Sequence, residues 1–242
     1  GHTSRIAALE RARRLPRPLA HVAGKAAGLA MKRGNREKIA AWLSGRGEGE
    51  SAYELLRRVF LAGEVARLSP ATAALSTPRP PVGIGDRYGR VSAQDLAHYT
   101  NNVLLRDTDA MSMAHSIEVR VPYLDHPLVE WVLSLPAGVK AGTGKALLVE
   151  ATRDLLPPEI LSRGKQGFAL PLAAWMRGEL RGEVDAALRN PPDILAGLLD
   201  GDAVAHVWEQ FLRDGRRWTR PWALFALCRW AGTIRARERI AA

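Results

Sequence analysis

Cysteine is nearly absent from this sequence of 242 residues, which contains only Cys228. A single cysteine cannot form an internal disulfide and cannot build a cysteine metal cluster. Cys228 lies in the apolar run Trp222-Ala-Leu-Phe-Ala-Leu-Cys-Arg-Trp230. We therefore expect it to be a small buried hydrophobic residue rather than a reactive thiol.

Long apolar runs are also absent. No stretch approaches the roughly 18 consecutive apolar residues that a membrane-spanning helix needs, and residues 1–30 carry too many arginines for a secretory signal. We therefore expect a cytoplasmic protein without a membrane partner.

Compact metal and phosphate motifs are missing as well. The spacings between His98, His115 and His126 are 17 and 11 residues, which fit no compact ligand pair, so we predict no metal site. Residues 141–146 resemble the end of a Walker loop. Val139 stands where its first glycine would be, and Ala146 replaces the hydroxyl residue, which excludes an independent nucleotide loop there.

Positive charge is abundant, with a formal net charge of +10 and 29 arginines against 6 lysines. Arginines occur in nearly every predicted helix and several sit beside acidic residues, as in Glu10-Arg11 and Glu238-Arg239, rather than in one stripe, which disfavours nucleic acid as the partner. The dense basic tract at residues 5–38 is kept as a candidate contact for an anionic partner.

The hydrophobic pattern predicts a mainly α protein with no convincing sheet. A loop at residues 70–90, rich in proline and glycine, separates a basic helical segment, 1–90, from a second region, 91–242. Ser92 is predicted to cap a helix, and residues 117–125 are predicted to be extended. Helices are predicted at about 4–15, 19–32, 35–46, 51–67, 93–114, 127–135, 144–156, 158–162, 171–188, 202–213 and 219–238.

Polar residues are concentrated between residues 105 and 126, around the predicted change from helix to extended chain. Helical spacing places Asp109, Ser112 and His115 on one side of the predicted helix. Alternation places Glu118 and Arg120 on one face of the predicted extended segment. Two interpretations stay open, a buried polar network that fixes this junction or a binding site. The candidate residues are Asp109, Ser112, His115, Glu118, Arg120 and Asp125.

Three ordered blocks within residues 92–182 resemble the asparagine synthetase family. The first is Met111-Ser-Met-Ala-His-Ser116 leading into Glu118-Val-Arg-Val-Pro-Tyr-Leu-Asp125. The second is Gly144-Lys-Ala-Leu-Leu148 with Leu155-Leu-Pro-Pro-Glu-Ile-Leu161. The third is Arg163-Gly-Lys-Gln-Gly-Phe-Ala-Leu-Pro171, followed by Trp175 and Arg177-Gly-Glu-Leu180.

The resemblance implies an enzyme that uses ATP and magnesium to adenylate the β-carboxylate of aspartate, after which ammonia from glutamine displaces AMP. It implies the helical C-terminal portion of an α/β ATP-pyrophosphatase synthetase domain, with the central parallel sheet largely absent. Lys165 matches the family's active-site lysine, which stabilises charge on the α-phosphate. Gly164 and Gly167 would let the backbone approach the nucleotide.

Other family motifs do not occur in the sequence. It contains no Ser-Gly-Gly-x-Asp-Ser pyrophosphate loop, no Gly-x-Asp-Glu segment and no glutaminase domain. We therefore expect part of a synthetase that is inactive alone. The expected partner is the missing N-terminal part with its glutaminase domain, in the same or another chain, and a homodimer is a further candidate. The alternatives are a non-catalytic helical binding or assembly module, and an amidotransferase of this family that acts on another carboxylate.

Overall fold

A computed structural model of the chain describes residues 2–14, 16, 38–39, 43, 52–72, 86–140, 145–164, 167 and 169–241. Within these ranges every regular element is helical and no strand occurs, which confirms the predicted mainly α class. The predicted helix at 19–32, nearly all of the one at 35–46 and the centre of the loop at 70–90 lie outside the described residues.

The α-helices are mostly short. They span His2–Arg13, Ala52–Arg57, Ala62–Leu68, Arg87–Gln94, Arg106–Met113, His126–Ser134, Ala137–Lys140, Ala146–Ala151, Pro158–Ser162, Leu172–Arg177, Arg181–Arg189, Gly201–Asp214 and Thr219–Ala241. A π-helix spans Asp95–Leu105, and short 3₁₀ turns span Pro70–Thr72, Pro122–Leu124, Arg153–Leu155 and Asp193–Leu195. In the part of the chain that is described, no helix is long and apolar enough to cross a membrane.

The chain divides into two compact units. Unit 1 consists of residues 1–4 and 78–168, and unit 2 consists of residues 5–77 and 169–242. The two regions predicted from the sequence, 1–90 and 91–242, stay a prediction.

Unit 2 contains the hydrophobic core. The helix Gly201–Asp214 begins at Asp200, whose carboxylate accepts a hydrogen bond of 2.8 Å from the Ala203 amide. Its apolar residues recur three and four positions apart, so that they face one side and are buried. The residues of this core include Met176, Val184, Leu188, Val204, Trp208, Phe211, Leu224 and Cys228. Cys228 is thus buried as predicted, and burial raises the pKa of its thiol.

Two predicted helices of unit 2 are interrupted. Residues 51–67 form two helices rather than one, because Leu61 is extended and its amide donates to the Glu64 carboxylate at 2.7 Å. This bond starts a new helix at Ala62. The predicted helix at 171–188 breaks after Arg177, since Gly178 leaves helical geometry with φ of −110° and ψ of −103°.

The helix predicted at 93–114 in unit 1 starts earlier than expected. Asp86 is its N-cap and accepts a hydrogen bond of 2.8 Å from the Gly89 amide, so the prediction that Ser92 is the cap is wrong. The middle of the helix is a π-helix, where the Asn102 side chain donates to the Ala97 carbonyl five residues back at 3.1 Å. Such side-chain bonds compete with the α-helical pattern.

Unit 1 buries little apolar surface. Among its described residues Val91 is the only buried hydrophobic residue. The segment predicted to be extended, 117–125, contains a 3₁₀ turn at Pro122–Leu124, so that part of the prediction is wrong. Large apolar side chains are exposed instead along the helices and in residues 117–124, including Tyr99, Val103, Met111, Ile117, Tyr123, Trp131 and Leu155. The described part of this unit therefore resembles one face of a larger core rather than a complete core.

Candidate functional site

The polar residues of the first family block lie on three consecutive elements of unit 1. Asp109 and Ser112 belong to the helix Arg106–Met113, and the Ser112 hydroxyl donates to the Asp109 carbonyl at 3.3 Å. The His115 amide donates to the Ser112 carbonyl at 2.9 Å, which continues the turn. The structure thus places the first three candidates within one helical end.

A left-handed residue ends this helix. Ser116 has a φ of 57° and its amide donates to the Met113 carbonyl at 3.0 Å, while the Ile117 amide donates to the Ser112 carbonyl at 3.0 Å. These two bonds make a Schellman motif, which closes the helix and turns the chain. Glycine usually occupies the left-handed position, so Ser116 is strained there. Ser116 is inconspicuous in the sequence because serine does not signal a left-handed conformation.

Glu118 and Arg120 follow in non-helical backbone and form an ion pair of 2.9 Å. This pairing agrees with the prediction that both side chains project from one face. The side chains are 70% and 84% exposed, so the pair is accessible to solvent and contributes little to stability.

The last candidate, Asp125, precedes the helix His126–Ser134, where its side chain makes no capping hydrogen bond. All six candidates are exposed except Ser112, which is half-buried. Within residues 1–242 the cluster is therefore exposed to solvent. Both interpretations of it, a polar network that fixes the junction and a binding site, stay predictions.

Lys165 itself lies outside the described residues. Gly164 and Gly167 are described, are exposed, and have no atom within 4 Å of the position that a Cβ would occupy. This open space is compatible with the predicted approach of a nucleotide to the backbone. Within the described ranges, no group of three His, Cys, Asp or Glu side chains is arranged to hold a metal ion.

Comparison with known proteins extends the resemblance beyond the three blocks. The family described as asparagine synthase matches residues 4–232. Asparagine synthetase [glutamine-hydrolyzing] 1 of Bacillus subtilis is 34% identical over 88 residues, which cover 36% of this chain and 14% of the relative. A putative asparagine synthetase [glutamine-hydrolyzing] of Mycobacterium tuberculosis is 37% identical over 98 residues, which cover 39% of this chain and 15% of the relative.

A vertebrate relative shows the same pattern. The asparagine synthetase [glutamine-hydrolyzing] of Gallus gallus is 44% identical over 71 residues, 27% of this chain and 13% of the relative. The aligned parts thus make up about one seventh of the curated relatives' length. No solved structure gives a significant match. The family match extends over most of the length of this chain. The chain therefore belongs to the asparagine synthase family.

Proposed function

We propose that this chain takes part in ATP-dependent amide formation, with the β-carboxylate of aspartate as the acceptor. In the first step a carboxylate oxygen attacks the α-phosphorus of ATP, and pyrophosphate leaves. In the second step ammonia from glutamine attacks the acyl carbon, a proton is lost and AMP leaves. The family match over residues 4–232, which includes the block from Arg163 to Pro171, carries this proposal.

Lys165 is proposed to stabilise the first transition state. Negative charge increases on the α-phosphate oxygens as the carboxylate attacks, and a fixed ammonium group stabilises that charge better than mobile water does. Gly164 and Gly167 would flank the nucleotide, where they leave space beside the backbone. The exposed polar cluster between Asp109 and Asp125 is proposed to contact the substrate or the nucleotide.

Magnesium would neutralise charge on the ATP phosphates. The described residues offer no cluster of acids for it, so we assign it no ligand in this chain. Residues 1–242 also contain no Ser-Gly-Gly-x-Asp-Ser run. We therefore propose that another part of the synthetase binds the pyrophosphate, and that residues 1–242 alone release none from ATP.

The exposed apolar surface of unit 1 supports the need for a partner. Many exposed large side chains, on a unit whose described residues include almost no buried hydrophobic one, are typical of a surface that packs against another polypeptide. We propose that the remainder of the synthetase covers this surface.

The function is tested with the protein produced from its complete reading frame. We expect it to release pyrophosphate from ATP and magnesium when aspartate is present, and to form asparagine when glutamine or ammonia is added. A panel of other carboxylates serves as the control for substrate class. Release with another carboxylate but not with aspartate would replace the proposed substrate, and no release with any carboxylate would contradict the proposed function.

A further inference from the structure

We propose that unit 2 contains a binding site for a phosphate group, formed by Lys38 and Arg220 at the helix break Arg58–Leu61. The proposed function uses neither of these cations. The Lys38 ammonium donates to the Arg58 carbonyl, and Arg220 Nε donates to the next carbonyl, that of Val59, at 3.4 Å. The two cations therefore contact consecutive carbonyls of one non-helical segment, although they lie far apart in the sequence.

This cluster carries more positive than negative charge. Arg220 Nη2 lies 2.8 Å from a carboxylate oxygen of Glu64, and the same carboxylate accepts a hydrogen bond from the Leu61 amide. Among the residues that the structure describes, no carboxylate forms an ion pair with Lys38. Two cations against one carboxylate leave one positive charge without a counter-ion.

Burial makes this charge unfavourable. The Arg220 side chain is only 9% exposed, and Lys38 is half-buried. Burial, followed by the nearby charge of Arg220, lowers the pKa of the Lys38 ammonium, although the Glu64 charge raises it. An anion bound between the two cations would compensate the excess charge, so the folded protein gains stability when one binds.

The remaining donors favour a phosphate group over a carboxylate. Arg220 uses Nε for the Val59 carbonyl and Nη2 for Glu64, whereas Nη1 has no hydrogen-bond partner in the described part of the chain. The Lys38 ammonium has three N–H groups and uses one for the Arg58 carbonyl. A phosphate group presents three acceptor oxygens and can satisfy more of these donors than the two oxygens of a carboxylate.

Hydrogen exchange in peptides that cover residues 58–64 tests the site in the protein from its complete reading frame. The Leu61 amide is bonded to Glu64, and the Glu64 amide is bonded to the Leu61 carbonyl, so exchange there reports opening of the break. Saturating phosphate should slow this exchange about tenfold relative to sodium chloride of equal ionic strength. Acetate should have no such effect, and equal slowing by acetate would overturn the assignment to phosphate.

Three variants separate phosphate binding from a purely structural role. Lys38→Met should abolish the phosphate effect, whereas Lys38→Arg keeps the charge and should retain most of it. Glu64→Gln removes the negative charge and should lower the Kd for phosphate about fivefold, even though it weakens the pair with Arg220. An undiminished phosphate effect in Lys38→Met, or an unchanged Kd in a folded Glu64→Gln protein, would overturn the proposal.

Lys140→Met is the matched control. The Lys140 ammonium also donates to a backbone carbonyl, that of Leu133, at 3.1 Å, and Lys140 is likewise half-buried. Lys140→Met should therefore leave the phosphate effect at residues 58–64 unchanged. If Glu64→Gln does not fold, the comparison of Lys38→Met with Lys38→Arg decides the result.

Inorganic phosphate and AMP are titrated separately, because free phosphate and the phosphate of a nucleotide share the same chemistry. Slowing that depends on Lys38 with AMP, but not with inorganic phosphate, would assign the site to the phosphate group of a nucleotide. Slowing with neither compound would overturn the proposal. The experiment requires no turnover, so its result is independent of the proposed function.

Discussion

Arg220 is a buried charge that connects distant parts of unit 2. Its Nη2 lies 2.8 Å from a Glu64 carboxylate oxygen, and its Nε donates to the Val59 carbonyl at 3.4 Å. The guanidinium also lies 5.5 Å from the centre of the Phe60 ring. These contacts surround the break between the helices Ala52–Arg57 and Ala62–Leu68. They explain why residues 51–67 form two helices instead of the one predicted. The Val59 carbonyl and the Glu64 carboxylate, which lie at the break, both have the buried Arg220 guanidinium as a partner.

Replacing Arg220 tests this explanation. The side chains of Arg220 and Glu64 are only 9% and 19% exposed, so Arg220→Met would leave the Glu64 carboxylate buried with the Leu61 amide but without the guanidinium. We expect a loss of about 3 kcal/mol in the free energy of unfolding, measured by urea denaturation. The matched control is Arg189→Met, which breaks the exposed Arg189–Asp185 pair of 3.0 Å and should cost less than about 1 kcal/mol. Equal losses would refute the role of the buried pair.

Asp185 gives unit 2 a pH-dependent contribution to stability. A hydrogen bond of 2.9 Å from the Trp208 indole, and then one from Arg189, lower the pKa of the Asp185 carboxyl. Because the pKa is lower in the folded protein, the ionised carboxylate stabilises the fold at pH values above about 3.9, the ordinary carboxyl pKa. This contribution is lost as the pH falls through the lower pKa of the folded protein. Asp185→Asn should therefore lower the melting temperature by a constant amount between about pH 7 and pH 5.

Below about pH 4 the melting temperatures of wild type and Asp185→Asn should converge. A difference that stays constant down to the acid unfolding of both proteins would show that the Asp185 charge does not contribute.

At the scale of elements, the start of the helix Arg87–Gln94 depends on a cap that the sequence pattern hides. Ser92 looks like a cap because a helical apolar pattern follows it, but the Gly89 amide is bonded to Asp86. Asp86→Ala should destabilise this helix by about 1 kcal/mol, whereas Ser92→Ala should stay within about 0.5 kcal/mol. Hydrogen exchange of the helix amides measures both effects. A larger loss of stability for Ser92→Ala than for Asp86→Ala would instead support Ser92 as the cap.

The turn after the helix Arg106–Met113 holds strain that glycine would relieve. Ser116→Gly should raise the stability of unit 1 by roughly 1 kcal/mol, because Ser116 lies in the left-handed region. Thermal unfolding measures the effect, and a destabilised Ser116→Gly protein would show that the serine side chain contributes more than its strain costs.

The helices that the sequence predicts well have strong local signals at their ends. Proline at the start of His126–Ser134 and Pro158–Ser162, and Asp200 with Gly215 around Gly201–Asp214, place these helices within one or two residues of their predicted bounds. The breaks at Arg58–Leu61 and at Gly178 were not predictable in this way. The first depends on Arg220, which is more than 150 residues away in sequence.

For the whole molecule, the family and the candidate site follow from motifs, whereas the burial of the site does not. The blocks around Ser112 and Lys165 predict the family that residues 4–232 match. The sequence pattern left two interpretations open for the cluster from Asp109 to Asp125, a buried polar network and a binding site. The structure shows the cluster exposed, because the helices that carry it have almost no core of their own.

Lys165→Met in the protein from the complete reading frame tests the central claim most directly. ATP–pyrophosphate exchange that depends on aspartate should fall by about 100- to 1000-fold, because the variant loses the cation that stabilises the α-phosphate charge. Arg216→Met is the control, since it removes an exposed cation of unit 2 and should leave the exchange rate unchanged. An exchange rate for Lys165→Met that equals those of wild type and Arg216→Met would contradict the account.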